Sequence, residues 1–338
     1  MRKNILVLKK SKCQQRICEI LSVIFLFLVI ACKKETDVKV LTFAHNLPTS
    51  HPVHKGVEAF KEHLESLSEG KMSIDIYANG NLGTEREVLE LLQIGSVSMT
   101  KVSASAISNF VPEYLVLGIP YLFRDKEHFF NVLEGKIGEE LLEKGTTSWL
   151  RGLCFYDAGS RSFYTKKKPV KEPKDLEGMK IRVMGDKISV SLVQSLGAAP
   201  TPMAFGELYT ALQQGVVDGA ENNAPSFVTS MHFEVCKYYC LDEHNYLPDV
   251  VVIGTKSLEK LTLQEKKWVF EAAKLSAQKQ KIFWQEAEIQ SVEILKKSGV
   301  EFFTPNKDLF RVKTEVLKTE FFKDEKRLKM IEEIEQLK

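Results

Sequence analysis

Several kinds of chemistry find no foothold in this 338-residue sequence. It has no Gly-x-Ser-x-Gly elbow to raise a nucleophilic serine, no Gly-x4-Gly-Lys-Ser/Thr loop to cradle phosphates and no His-Glu-x-x-His helix to hold a zinc ion. Gly70, Gly80 and Gly83 stand as isolated turn glycines and make no dinucleotide loop. The enzyme classes built on those motifs are excluded; no enzymatic activity and no cofactor are expected. Cysteine is scarce too. Of six, Cys13, Cys18 and Cys32 lie near the start, leaving Cys154, Cys236 and Cys240 for the folded part. An odd number allows at most one disulfide. Cys236 and Cys240, spaced as neighbours on a helix, are read as small buried thiols at a helix end. Nothing completes a zinc pattern around them. His45, His51 and His54 cluster without a helical i, i+4 pair and are interrupted by Pro48 and Pro52, so they are read as surface and helix-cap residues and not as a metal site. There is no internal repeat and no low-complexity tract.

An excess of one charge is missing as well. Lys and Arg number 47 against 45 acids, a formal charge of +2. The excess belongs to residues 1–19, which carry Arg2, Lys3, Lys9, Lys10, Lys12 and Arg16 against Glu19 alone. Residues 20–31 are uncharged and nearly all apolar. A basic lead, a short apolar core and small Ala31 follow the logic of a secretory signal. As a helix, that core would span about 18 Å, too little for a hydrocarbon layer of about 30 Å. Leu28-Val-Ile-Ala-Cys32 resembles a bacterial lipobox, which implies cleavage before Cys32 and lipid attachment to its sulfur. Removing residues 1–31 takes the cations to 41, the acids to 44 and the charge to −3. No argument for nucleic acid survives.

The remainder reads as alternating strands and helices. Val38–Ala44, Ser73–Tyr77, Leu153–Tyr156, Lys180–Val183, Ala198–Thr201 and Val250–Gly254 have strand character. Pro52–Ser68, Glu85–Ile94, Ile188–Leu196, Phe205–Gln214 and a long run from Leu263 to Lys297 have helical spacing, and the last forty residues are helical and highly charged. Such alternation predicts an α/β fold with mostly parallel sheets and crossover helices.

Within this frame, Asn79-Gly-Asn-Leu-Gly-Thr-Glu-Arg86, Pro120-Tyr-Leu-Phe123, Pro202-Met-Ala-Phe205 and Gly215-Val-Val-Asp-Gly-Ala-Glu-Asn222 share an order and spacing. Over residues 38–325 the chain resembles the solute-binding proteins of TRAP (tripartite ATP-independent periplasmic) transporters. The resemblance implies a two-lobe, venus-flytrap periplasmic-binding-protein fold with the 263–297 helix spanning both lobes. It divides the chain into a signal (1–31), a tether (32–37), lobe I (38–158 and 247–286) and lobe II (159–246 and 287–338). It implies a monomer, lipid-anchored in the periplasm or at the cell surface, that hands an organic acid to membrane permease subunits. A receptor of the same fold serving a signalling system is the alternative.

The chemistry of a carboxylate site is readable beside the resemblance. Arg182 lies between Ile181 and Val183 on a strand, so two apolar neighbours entering the core leave the guanidinium on the other face. The resemblance makes Arg182 the partner of the ligand carboxylate, a task suited to a planar fork that stays charged when desolvated. It makes Arg161 a second ligand arginine, Asn222 the orienting amide and Phe205 a wall of the cleft, with Asn46, Glu85 and Ser103 as the polar lid. Asn223 follows Asn222, so which amide reaches the ligand stays open; Asn222 is preferred. Ser103 stands where sialic-acid binders of the family carry a glutamate, which argues against sialic acid itself. Hydroxylated sugar acids fit best, with C4-dicarboxylates second.

Overall fold

Capping chemistry sets the helices where periodicity places them. Helix Glu85–Ile94 starts at Thr84, whose hydroxyl accepts from the Glu87 N–H while the Glu87 carboxylate accepts from the Thr84 N–H; it stops at left-handed Gly95. The 35-residue helix Leu263–Lys297 starts with the same reciprocal pair, Thr262 and Glu265, and ends with Lys296 and Lys297 in its last turn. The computed structural model describes residues 38–337, apart from Asp324 and the side chain of Lys326. The signal, Cys32 and the tether lie outside the described residues. Among the described residues, no helix is long and apolar enough to cross a membrane.

Twelve strands form among the described residues: β1 (Lys39–Ala44), β2 (Met72–Tyr77), β3 (Met99–Ser103), β4 (Leu150–Tyr156), β5 (Ser160–Thr165), β6 (Lys180–Val183), β7 (Ala199–Pro202), β8 (Gly219–Asn222), β9 (Tyr238–Cys240), β10 (Asn245–Tyr246), β11 (Asp249–Gly254) and β12 (Glu301–Phe303). They make two sheets, ordered β2-β1-β3-β11-β4 and β12-β9-β5-β8-β6-β7, with β10 paired to β5. Five of the ten pairings are parallel, fewer than expected, although most strands within a sheet share a direction. The exceptions are β11, antiparallel to β3 and β4, and β5, antiparallel to β8, β9 and β10. These are the strands by which the chain enters the other sheet through a short connection; a third change of sheet, from β11 to β12, runs through the helix Leu263–Lys297. From β4 it passes through Asp157–Gly159 into β5, and from β10 it returns through Leu247 and Pro248 into β11.

Both sheets are covered on both faces. On β11, Val251 and Ile253 join Val57, Phe60 and Ala272 on one face, while Val250 and Val252 join Leu89, Leu92 and Ile107 on the other. That is why the strand reads as an unbroken apolar run. In the second sheet, Ile181 and Val183 pack with Leu192 and Phe310 on one face; Tyr164 and Ala220 pack with Leu212 and Leu295 on the other.

The long helix serves both sheets. Its first half packs on helix Pro52–Leu67 and β4; Leu295, near its end, enters a core of the second sheet. Midway, buried Gln280 clamps the first crossing, accepting from the Asp157 N–H (2.7 Å) and donating to the Asp157 carbonyl (2.8 Å). Gly159 turns that crossing at φ +58°, and a Cβ there would lie 2.9 Å from the Trp284 indole nitrogen.

Two expectations change. Cys236 and Cys240 do not share a helix: Cys236 lies in a loop and Cys240 on β9, and both are buried free thiols, as is Cys154. The terminal helix Glu325–Gln336, expected with the second lobe, sends Met330, Ile331 and Ile334 into the first-sheet core beside Leu117 and Leu133.

The helix packing carries a prediction. A Cβ on Gly56 would sit 2.6 Å from Gln280 Cγ and 3.0 Å from the Tyr156 ring. Gly56→Ala gains about 0.5–1 kcal/mol of helix propensity. It should lose more, about 1–3 kcal/mol, to overpacking against the residue that holds the crossing. A calorimetric melt should show a lower Tm than wild type; an equal or higher Tm would count against this packing.

Candidate functional site

Between the two sheets lies a cavity of about 580 Å3, within the size range of small-molecule sites. All seven residues singled out from the sequence line it: Asn46, Glu85 and Ser103 on the first-sheet side; Arg161, Arg182, Phe205 and Asn222 on the second.

Arg182 projects from β6 on the face opposite Ile181 and Val183, which are fully buried. The guanidinium is itself buried, not open to solvent, with the residue 3% exposed. Its Nε and Nη2 both donate to the Met203 carbonyl, at 3.1 and 2.9 Å. The Phe205 ring lies 5.7 Å away, in cation–π contact. No hydrogen bond or ion pair among the described residues gives it a carboxylate partner. Burial lowers its pKa, and Glu221 offsets this only in part. A guanidinium does not lose its proton in a protein, so Arg182 is a buried cation short of an anion.

Arg161 is differently placed. Its Nε and Nη2 grip the Glu221 carboxylate at 2.5 and 2.9 Å, Nη2 also reaches the Glu221 carbonyl, and Nη1 donates to Asn222 Oδ1 at 2.8 Å. Of its five N–H groups, one on Nη1 is left. Glu221 also has His244 Nε2 at 3.4 Å, and His244 Nδ1 lies 2.6 Å from Asp242. Burial would raise the Glu221 carboxyl, but Arg161 and His244 hold it down at about 2. Burial would lower the His244 pKa, but Asp242 and Glu221 outweigh that and raise it to about 9. The four side chains form a neutral chain of alternating charges behind the cleft wall.

That chain fixes the amides. Asn222 Oδ1 accepts from Arg161, from the Asn223 N–H and from Asn223 Nδ2, so its own Nδ2 is left to donate. Asn223 caps helix Ala224–Thr229 through Oδ1 and donates to the Ala158 carbonyl. Both ends of Asn223 are engaged, which favours Asn222 as the amide open to a ligand.

On the first-sheet side, buried Lys101 lies between Glu85 Oε1 (3.3 Å) and Asp249 Oδ2 (3.1 Å). Burial works against its charge; Asp249 and Glu85 prevail and raise its pKa. Ser103 accepts from the Ser105 N–H and gives its own N–H to Glu85. Asn46 Oδ1 and Trp284 Nε1 are buried without a partner among the described residues, and both residues line the cavity.

Sequence reasoning missed Lys101, Asp249, Glu221 and His244. Glu221 sat inside a quoted motif, and a charged residue in a short strand beside Asn222 was the signal. Lys101, the one cation in the wholly buried strand Met99–Ser103, was another. His244 carries no local signal. The three early histidines are buried, not at the surface. His51 does cap a helix, through the Val53 N–H, and reaches across to Ser226 Oγ at 3.1 Å. Burial, then Lys101 and His54, lower His45 to about 3. Among the described residues, no group of three His, Cys, Asp or Glu is placed to hold a metal ion.

Residues 43–324 match the family described as bacterial extracellular solute-binding protein, family 7. An uncharacterised protein of Salmonella typhimurium is 37% identical over 273 residues, 80% of this chain and 83% of its own. The C4-dicarboxylate-binding periplasmic protein DctP of Rhodobacter capsulatus is 34% identical over 216 residues, 64% of this chain and 65% of its own. A TRAP periplasmic solute-binding protein of a Bradyrhizobium species, solved with D-galacturonate, superposes with a TM-score of 0.87 at 39% identity, covering 88% of this chain and 100% of that one. One from Anaerococcus prevotii, solved with D-glucuronate, gives 0.86 at 34%, covering 88% and 97%.

The His244 pair predicts a pH dependence. Its folded pKa of about 9 stands above the ordinary 6.5. The stability it contributes is full below pH 6.5 and is lost as pH rises through 9. Chemical denaturation should show stability falling between pH 7 and 9.5, with a shallower fall in His244→Gln. Equal slopes in the two proteins would contradict the assignment.

Proposed function

The chain belongs to family 7 of the bacterial extracellular solute-binding proteins, and from that premise we propose that it holds a hydroxylated organic acid with the carboxylate on Arg182. It is a solute-binding protein of the TRAP type, and it captures an organic acid for transport. A buried guanidinium with a carbonyl and a ring for company, but no carboxylate, carries the reading. Arg182 lines the cavity and, with Nε and one Nη2 hydrogen on Met203, keeps three N–H groups, enough for the parallel pair a carboxylate accepts.

The other residues take roles that follow from what they have left to offer. Asn222 Nδ2 and the remaining Arg161 N–H orient the acid, Phe205 walls one side, and Asn46, Glu85 and Ser103 face the hydroxylated part. Arg161 acts chiefly by holding Asn222. The protein binds without chemistry, as a family of binding proteins implies. Uronates, the ligands of the two solved relatives, are the first class to test, and C4-dicarboxylates the second. Transport is preferred to signalling because no observation favours a sensor.

The lobes are assigned as 38–158 with 247–286, and 159–246 with 287–338, the terminal helix docking back onto the first. Two short crossings between sheets support that division and a hinge at Asp157–Gly159 and Leu247–Pro248, the third passing through the long helix. The protein acts as a monomer that meets membrane permease subunits. The lipobox-like segment supports anchoring through Cys32: Cys32→Ser should release the protein from the membrane fraction of cells, and unchanged detergent-soluble membrane association would end that reading.

Arg182 gives the direct test. Truncating one member of a desolvated pair typically costs about 2–5 kcal/mol, so Arg182→Ala should weaken D-galacturonate or D-glucuronate binding by roughly 30- to several thousand-fold. Arg182→Lys should lose a substantial part of that, since charge remains and the fork does not. Calorimetry on folded variants decides it; a Kd for Arg182→Ala within about threefold of wild type would sink the assignment.

A further inference from the structure

The charges lining the cleft do not balance wall by wall, and the imbalance says more about the ligand than the family does. On the second-sheet wall, Arg161, Glu221, His244 and Asp242 cancel one another; Glu207 also lines the cavity but is exposed, and Arg182 is left as a buried cation with no ion pair among the described residues. On the first-sheet wall, Lys101 is shared by two carboxylates, Glu85 and Asp249, leaving one negative charge in excess. At the rim, Arg86 is engaged by Glu90 at 3.1 Å.

Spare hydrogen-bonding capacity divides in the same way. Arg182 and Asn222 Nδ2 can only donate. The first-sheet wall adds acceptors: Glu85 Oε2 and Asp249 Oδ1 have no partner among the described residues, and Asn46 Oδ1 is buried with none, beside one unpartnered buried donor, the Trp284 indole N–H. Of the three Lys101 N–H groups, two serve Glu85 and Asp249 and one is left. A ligand hydroxyl both donates and accepts, so a polyol can give hydrogens to these oxygens and take the one from Lys101. A carboxylate has no hydrogen to give and carries the wrong charge.

Resting on the reading that Arg182 takes one carboxylate, we propose that Lys101, Glu85 and Asp249 form a selectivity element that accepts hydroxyls and rejects a second carboxylate. The cleft then selects polyhydroxylated monoacids against dicarboxylates, by repulsion as well as by fit. This ranks the two ligand classes: sugar monoacids bind, and succinate-like or aldarate-like diacids do not compete.

D-Gluconate and D-glucarate differ in one terminal group, CH2OH against COO−, and make the test. Calorimetry on the mature protein should give D-galacturonate binding, and D-gluconate binding at least about 30-fold tighter than D-glucarate or succinate. Asp249→Asn and Glu85→Gln keep size and remove charge, and Glu85, the more exposed, covers the case in which Asp249→Asn fails to fold. In either folded variant the gluconate-to-glucarate preference should shrink by at least about fivefold. A diacid that binds wild type as tightly as its monoacid, or a preference unchanged within about twofold in the folded variants, overturns the proposal, as does failure of every acid to bind. Failure of the Arg182 reading is separable: neutral D-galactose would then bind as well as D-galacturonate, while the gluconate-to-glucarate preference would still report on the first-sheet wall.

Discussion

A guanidinium taken out of water needs an anion, and Arg182 has none of its own. Burial of a charge without a partner is among the costliest things a fold can do. The protein tolerates it because β6 is pinned between β7 and β8, with Ile181 and Val183 locked in the core on the opposite face. Met203 and Phe205 then hold the side chain in place. The rest of the site answers to that residue. Arg161 could have supplied a second free cation, but Glu221 neutralises it, and its remaining task is to turn the Asn222 amide so that N–H groups face the same space.

The long helix makes such a site usable. A cleft between two sheets needs walls that keep their internal geometry while the chain passes between them. Gln280 holds the Asp157 backbone as a strand partner would, and the Tyr156 hydroxyl reaches the Gly56 carbonyl at 3.0 Å. The first crossing is therefore seated on a helix that packs on both sheets, and the second, into β11, runs beside β4 in the same sheet. That arrangement is what supports the hinge proposed at those two short segments.

Much of this was legible in the sequence because it is local. Helices Glu85–Ile94 and Leu263–Lys297 announce themselves by spacing and by Thr-x-x-Glu caps, and β6 was placed to the residue. The strands that were missed are those whose neighbours cover both faces or whose length is two to four residues, such as β8, β9 and β10; alternation has no room to show there. The cleft residues with motif neighbours were found. Lys101 and Asp249 were not, because their meaning lies in the register of β3 against β11, which pairs Ser103 with Asp249, a contact across about 150 positions that no local pattern encodes. Arg161 was assigned to the ligand by the resemblance; its ion pair with Glu221 has no local signal, because it forms only when β5 pairs with β8.

If a ligand carboxylate completes Arg182, a crystal structure with D-galacturonate bound will show it. Carboxylate oxygens are expected at about 2.7–2.9 Å from the Arg182 guanidinium, on the side away from the Met203 carbonyl, with the sugar hydroxyls turned toward Glu85 and Asp249. A bound uronate whose carboxylate sits on the first-sheet wall, with Arg182 still contacting only Met203 and Phe205, would contradict it.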